Sequence, residues 1–419
     1  MSARGAGFIS SASNATSAGN WSLYQSTPAF APNWPPPRRD LQLAYDGRDG
    51  YVLLFGGAGP QIANDTWTYR AGNWTELHPP VAPDPRGGGG MVFDPTLDAV
   101  LLFGGQSDTT FNVLNDTWTF AGGNWTELHP SVAPLARQFL GMTYDAADGY
   151  VVLFGGNDNQ GTTFSDTWSF QSGNWTNLSG RIVGGVGPSA RTCELAYDAR
   201  DAYVVMFSGG HGISADTWTY QALRWTNLSI PASASPPPRW PGSLAYISSA
   251  GAVVLFGGIP STINGEYFAQ DTWTFVGGNW TQLHPASPPT PRWIAGFADD
   301  PADGIGLLFG GGGPDGPLGV GANLDDAFAF LNGSWQTISA PAWRLSGHPP
   351  TRAGPAMSYD PAAQAVVLFG GDGNFGMMND TWLFQNGNWT ALATASAPSP
   401  RAYAGMAFDP SDGWMILFG

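Results

Sequence analysis

Residues 150–178 read Y-V-V-L-F-G-G, then nine connecting residues, then D-T-W-S-F-Q-S-G-N-W-T-N-L. The opening run, Tyr150 to Phe154, is continuous, apolar and rich in branched side chains, as expected for a strand buried on both faces. Asp166 to Phe170 alternates instead, with Trp168 and Phe170 on one face and Thr167 and Ser169 on the other, as a half-buried strand does. A short turn, Ser172-Gly173-Asn174, leads into a last alternating run that begins at Trp175. These landmarks recur along the chain. The Phe-Gly-Gly run falls at Phe55, Phe103, Phe154, Phe207 (with Ser208 inserted), Phe256, Phe309 and Phe369, and the sequence stops at Phe418-Gly419. Trp of the alternating run falls at Trp67, Trp118, Trp168, Trp218, Trp273 and Trp382, with Phe328 in its place once. The last Trp falls at Trp21, Trp74, Trp125, Trp175, Trp225, Trp280, Trp335 and Trp389, every 50 to 55 residues.

A period near fifty with aromatic and Gly-Gly landmarks predicts a radial array of small sheets, a propeller. Each repeat supplies four strands, a to d. Strand a follows an Arg and ends in an aromatic, as in R-Q-F-L-G-M-T-Y from Arg137 to Tyr144. The a–b connections, such as Y-D-G-R-D-G-Y at 45–51 and Y-D-A-A-D-G-Y at 144–150, carry the Asp and Gly of tight hairpins. Because successive strands reverse direction, the a–b and c–d turns share one end of every blade. The b–c loops and d–a connections share the other, and only there does length vary. Loops of unequal length on a rigid scaffold are the expected place for binding.

The 58 Gly and 35 Pro of the 419 residues fall largely at these turns, and paired landmarks account for most of the 19 Trp. The net charge of −16 arises without a single Lys against 16 Arg, which disfavours nucleic acid, whose phosphates need a basic face. A single cysteine, Cys193, excludes an intramolecular disulfide framework. No run reaches the roughly 18 apolar residues of a membrane span. Residues 1–4 lack the apolar core of a signal peptide, and the stop inside a motif at Gly419 suggests a fragment, with any signal or anchor lying elsewhere.

The order R…Y-D, Y-V-L-L-F-G-G, N-D-T-W-T-Y, N-W-T-E-L resembles the Kelch repeat of galactose-oxidase-like propellers from Trp21 to Gly419. The resemblance implies an all-β Kelch-type β-propeller of four-stranded antiparallel blades around an axial channel. Marker counts predict one domain over 1–419 with eight blades, seven being the alternative. Its last blade would join 17–30 to 401–419, with 1–16 as a tail or partial strand. The resemblance implies little about activity, since Kelch propellers include adaptors, surface proteins and a few enzymes.

Arg38, Arg86, Arg137, Arg191, Arg239, Arg292, Arg352 and Arg401 open the repeats. Their recurrence predicts a structural ring, each Arg pairing with a strand-c Asp such as Asp65, Asp116 or Asp166. The paired hairpin Asp, such as Asp46 and Asp49, supply too few oxygens for calcium and are expected to cap turns. His78, His129 and His284 share one repeat position, so they are not expected to converge on a metal. A copper-radical oxidase of the galactose-oxidase kind needs two His and two Tyr, one cross-linked to Cys. No such set is visible here, and the expectation is no metal and no cofactor.

Ligand contacts are instead expected among unshared residues of the variable end: His211, Trp240, Tyr267, Phe268, Trp293, Trp343, His348 and Phe375. The resulting expectation is a non-catalytic, extracellular or cell-surface propeller that binds protein or carbohydrate. The alternatives are a copper-radical oxidase relative and a purely structural surface-layer module. Thirteen N-x-S/T sequons occur, and Asn64, Asn73, Asn115, Asn124, Asn174, Asn279, Asn379 and Asn388 sit at motif turns where glycosylation is expected if the chain is exported.

Overall fold

The computed structural model describes residues 34–418, apart from short stretches at 60–61, 108–111, 208, 210–213, 241, 261–267, 314–321, 325, 339–348, 350–351, 362, 374–375, 386–387, 393–397 and 410–413. Among the described residues the chain is all-β, with two single-turn 3-10 helices at Ser179–Arg181 and Ala232–Ala234. It divides into two compact units, Asn33–Ala340 and one containing Pro341–Gly419.

The first unit contains six blades, each an antiparallel meander in sequence order. Blade one runs Gln42–Asp46, Tyr51–Ala58, Ile62–Arg70 and Asn73–Leu77. The a strands of the next five are Gly90–Asp94, Gly141–Asp145, Leu195–Asp198, Ser243–Ile247 and Gly296–Asp300. Each a strand lies beside that of the next blade, and Gly296–Asp300 returns to Gln42–Asp46. The ring therefore closes at six.

The junction between blades is the same device repeated. The strand-b Phe of one blade stacks on the strand-d Trp of the next: Phe55 on Trp125, Phe103 on Trp175, Phe154 on Trp225, Phe207 on Trp280 and Phe256 on Trp335, with ring centres 4.8–5.1 Å apart. Phe309 of blade six stacks on Trp74 of blade one at 5.0 Å, which completes the circle. Offset or tilted aromatic pairs of this kind add about 1 kcal/mol each beyond the area they bury.

Gly-Gly after each strand b serves the same junctions. Gly56 (φ +63°) and Gly310 (φ +68°) lie where a Cβ would come 2.5 Å from the carbonyl oxygen of the following blade's Arg, Arg86 and Arg38 respectively. Only glycine combines that backbone conformation with that approach. Strand b also slips its register there in blades one and two, forming bulges between Phe55 and Gly57 and between Phe103 and Gly105.

The expectation of an eight-bladed ring is thus corrected to a ring of six within the first unit. Its physical reason is the Phe309–Trp74 stack, which uses Trp74 to close on blade six. The proposed joining of 17–30 to 401–419 lies, on its N-terminal side, outside the described residues. The second unit holds one further four-stranded blade, Ala356–Asp360, Ala365–Gly373, Gly376–Gln385 and Asn388–Leu392, and a hairpin of Gly405–Asp409 with Trp414–Phe418.

Candidate functional site

Every Arg that opens a blade of the ring is buried against an Asp that lies in strand c or just before it. Arg38 donates to both oxygens of Asp65 at 2.6 and 2.7 Å and to the Gly56 carbonyl at 2.8 Å. Arg86–Asp116, Arg137–Asp166, Arg191–Asp216, Arg239–Asp271 and Arg292–Asp326 repeat the two-pronged pair. The strand-c Trp donates its indole N–H to the same carboxylate, for example Trp67 to Asp65 at 2.7 Å. Burial opposes ionisation of Asp65, Asp166, Asp216 and Asp271, but the guanidinium bonds outweigh it and hold all four below the usual carboxylate range. These arginines have no free face to offer an anion. Arg401 of the second unit donates Nε to the Ser399 carbonyl, and the side chain of Arg352 lies outside the described residues.

The hairpin end is equally regular. Asp46 Oδ1 accepts from the backbone N–H of Arg48 and Asp49, and Asp145 and Asp198 do likewise. The second Asp reaches across a junction: Asp148 to Ala222 N–H, Asp201 to Gly277 N–H and Asp303 to Ala71 N–H. His78 and His129 are exposed beside Glu76 and Glu127. Cys193 is buried with Sγ 3.7 Å from the Phe154 carbonyl, and burial pushes its thiol up to about 12. That is the setting of a packing residue rather than a nucleophile.

Asymmetry begins one residue after each Arg, at the loop end of the channel. Arg39, Gly87, Gln138, Thr192, Trp240 and Trp293 occupy this position in blades one to six. Each lies against the start of the b–c loop, as in Trp293 with Gly312 and Trp240 with Ile259. Trp240 and Trp293 are half-buried neighbours, edge to face at 6.2 Å. The Trp293 indole nitrogen is buried without a hydrogen-bond partner. Phe268, also half-buried, closes the b–c loop of blade five. His211, Tyr267, Trp343, His348 and Phe375 lie outside the described residues. Of the expected ligand residues the structure brings together Trp240 and Trp293.

In four of the six blades the next residue turns left-handed: Asp40 (φ 56°), Gly88 (φ 69°), Phe139 (φ 52°) and Ile294 (φ 42°). Through these residues the backbone forms a girdle around the channel. Asp40 N–H donates to Ile294, Gly88 to Asp40, Phe139 to Gly88 and Cys193 to Phe139. Inside the girdle lies a cavity of about 100 Å³ lined by Asp40, Gln42, Glu194, Leu140, Met142 and Phe297, with the glycines of residues 88–90. Burial raises the Asp40 carboxyl to about 6 despite the nearby Arg39, and raises that of Glu194 to about 8. Sequence reading missed these residues because it looked to the loops. The signal was there: between the opening Arg and strand a, only blades one and four carry a carboxylate, Asp40 and Glu194.

The sequon residues Asn64, Asn73, Asn115, Asn124, Asn174, Asn279 and Asn379 are exposed. The side chain of Asn388 lies outside the described residues. No helix among the described residues is long and apolar enough to cross a membrane.

Compared with known proteins, residues 98–298 match the family model described as the KLHDC2/KLHL20/DRC7 Kelch-repeats domain. The matched stretch runs from the second strand of blade two into blade six. A solved structure described as the structure of YjhT covers 73 % of this chain and 99 % of its own, with a TM-score of 0.53 and 14 % identity. That likeness is one of fold. No curated protein matches the sequence.

Proposed function

Because the chain is a Kelch-repeat β-propeller, we propose that it is a non-catalytic binding module that seats a protein partner on the loop end of the six-bladed ring. The observation that carries this reading is the contrast between the two ends. Hairpins at one end repeat from blade to blade, and their Asp side chains are engaged in turns and junctions. At the other end, the six equivalent positions hold five different residue types, two of the positions being adjacent Trp. Paired aromatic side chains with one unsatisfied N–H are the composition of an interface anchor. The same pair suits the face of a sugar ring, so a carbohydrate partner is the second reading.

We place the chain outside the cell or on its surface in this proposal. Exposure of seven of the eight named sequon residues supports it, since glycosylation needs accessible Asn on an exported chain. The test compares wild type, the double variant Trp240→Ser/Trp293→Ser and a hairpin-end control, Arg200→Ser, in partner capture and on a glycan array. Loss of a specific partner in the Trp variant alone is expected. Retention there with loss in the control puts the site on the opposite end and overturns the reading. An intact mass of the exported protein equal to the bare sequence refutes its glycosylated, extracellular part.

A further inference from the structure

Each blade of the ring has two unlike faces, one toward the blade before it and one toward the blade after. Between blades two and three, the forward face of blade two offers Val92, Leu101 and Phe103. The backward face of blade three answers with Met142, Tyr144, Val151, Leu153, Trp168 and Phe170, and the two sets form one cluster. Leu101, Phe103, Val151 and Phe170 are wholly buried in it.

The second unit carries both halves of that junction, each exposed. Its four-stranded blade repeats the backward face in register: Met357 pairs with Leu368 and Tyr359 with Val366, as Met142 does with Leu153 and Tyr144 with Val151. The pairs Val366–Phe384 and Leu368–Trp382 extend the match into strand c. Here, however, Met357 is 39 % and Tyr359 55 % exposed, and Val366 and Phe384 are only half-buried. The forward face of this blade is covered: Val367 and Phe369 are buried, and strand Gly405–Asp409 lies beside Ala356–Asp360. The hairpin that covers it then has a forward face of its own. Ala407 pairs with Ile416 and Gly405 with Phe418, as Val92 does with Leu101 and Gly90 with Phe103. Ile416 is 52 % and Phe418 84 % exposed.

Large apolar side chains gathered on an exposed face mark a surface that another molecule covers. The ring specifies which molecule, because at each of its junctions a forward face is met by a backward face and never by its own kind. We propose that the second unit binds a second copy of this chain head to tail, the Ile416 and Phe418 face of one copy seating on the Met357 and Tyr359 face of the next. Such a contact joins unlike surfaces, so a copy that has used one face still offers the other. Assembly therefore runs on as a closed ring or an open chain. The contact involves neither the loop-end tryptophans nor the partner assigned to them.

Sedimentation of the intact chain from about 1 to 100 µM, the range of a moderate affinity, is expected to show mass rising above the monomer with concentration. The rise should steepen in about 0.5 M salt, which screens repulsion between copies of charge −16 and leaves an apolar contact intact. Tyr359→Glu and Phe418→Glu change exposed side chains on the two faces, and each is expected to weaken association at least about tenfold. Met357→Glu replaces Tyr359→Glu should that variant fail to fold. Mixed one to one, the two variants are expected to pair and form nothing larger, since each supplies the face the other has lost. Trp240→Ser should associate as wild type does. A wild type that stays monomeric overturns the proposal, and association released by Trp21→Glu would then identify the chain's own first residues as the cover. Loss in one face variant but not the other means that like faces meet. A mixture that stays monomeric means that the faces do not complement each other, and loss in Trp240→Ser moves the contact to the loop end. Each of these overturns it too.

Discussion

Five junctions of the ring and the sixth that closes it differ by one hydrogen bond. At the five, the strand-d Trp donates its indole N–H to a Thr at the start of strand c in the preceding blade. These bonds run Trp125 to Thr66, Trp175 to Thr117, Trp225 to Thr167, Trp280 to Thr217 and Trp335 to Thr272, at 2.9–3.0 Å. At the sixth, Ala327 stands where Thr would, and the Trp74 indole nitrogen is buried without a partner. Yet Trp74 stacks on Phe309 at 5.0 Å, as its equivalents do. Apolar packing therefore suffices to close the ring, and the hydrogen bond is an addition to it.

The largest test of that statement removes the packing. Trp74→Ala and Trp125→Ala are each expected to cost about 3–5 kcal/mol, the range for deleting a buried aromatic, in denaturant unfolding of the intact chain. If Trp74→Ala costs less than half of Trp125→Ala, the ring does not close through blade one. Phe418 sharpens the contrast. It holds the strand-b position of Phe309 but is 84 % exposed, and Phe418→Ala is expected to change stability by no more than about 0.5 kcal/mol.

The blade was legible in the sequence because its signals are local: Arg137 and Asp166, Phe154 with its two glycines, and Trp168 each mark a fixed place in one meander. Ring size was not. Every junction uses the same Phe-on-Trp contact, so the repeats say what each blade grips but not which blade it meets. Counting markers led to eight; the closing stack of Trp74 on Phe309 is a contact between blades far apart in sequence. Thr167 is a smaller case of the same limit. Alternation placed it opposite Trp168, but its role as acceptor for Trp225 depends on the neighbouring blade. The site divided along the same line. Trp240 and Trp293 stood out as unshared aromatics, whereas Asp40 and Glu194 acquire meaning only when the ring sets both around one cavity.

A middle-sized effect comes from protons, and the closing blade is expected to behave like the others. Burial first, then the neighbouring hairpin Asp, raises the carboxyls of Asp145 and Asp300 to about 6, and burial raises Asp46 and Asp198 as well. Each has one buried oxygen with no hydrogen-bond partner. A folded-state pKa above the unfolded value of about 3.9 adds stability that is complete below pH 4 and lost as pH rises through 6. The Arg-paired Asp65, Asp166, Asp216 and Asp271 act in the opposite sense, stabilising above pH 4 and failing as pH falls below it. Thermal unfolding is therefore expected to peak near pH 4–5, with a gain of a few kcal/mol over pH 8. A melting temperature that is flat or climbs from pH 5 to pH 8 would show that these carboxyls find partners in the folded ring. Asp300→Asn and Asp145→Asn should flatten the profile equally if the closing blade is equivalent.

The smallest effect restores what the sixth junction lacks. Ala327→Thr puts a hydroxyl where Thr66, Thr117, Thr167, Thr217 and Thr272 have theirs, facing an indole N–H that now has no acceptor. A buried hydrogen bond contributes about 1 kcal/mol net, and threonine suits a strand better than alanine, so a gain of that size is expected. Strand propensity and the new bond are separable. In a Trp74→Phe background the donor is absent, and only the propensity part of the gain should survive. The coupling from that double-mutant cycle, about 0.5–1 kcal/mol, measures the bond itself. A full gain without the Trp74 donor would assign the effect to strand preference alone. A loss in the wild-type background would mean that the closing junction has settled around alanine, with Trp74 too close to Ala327 for the geometry of the other five.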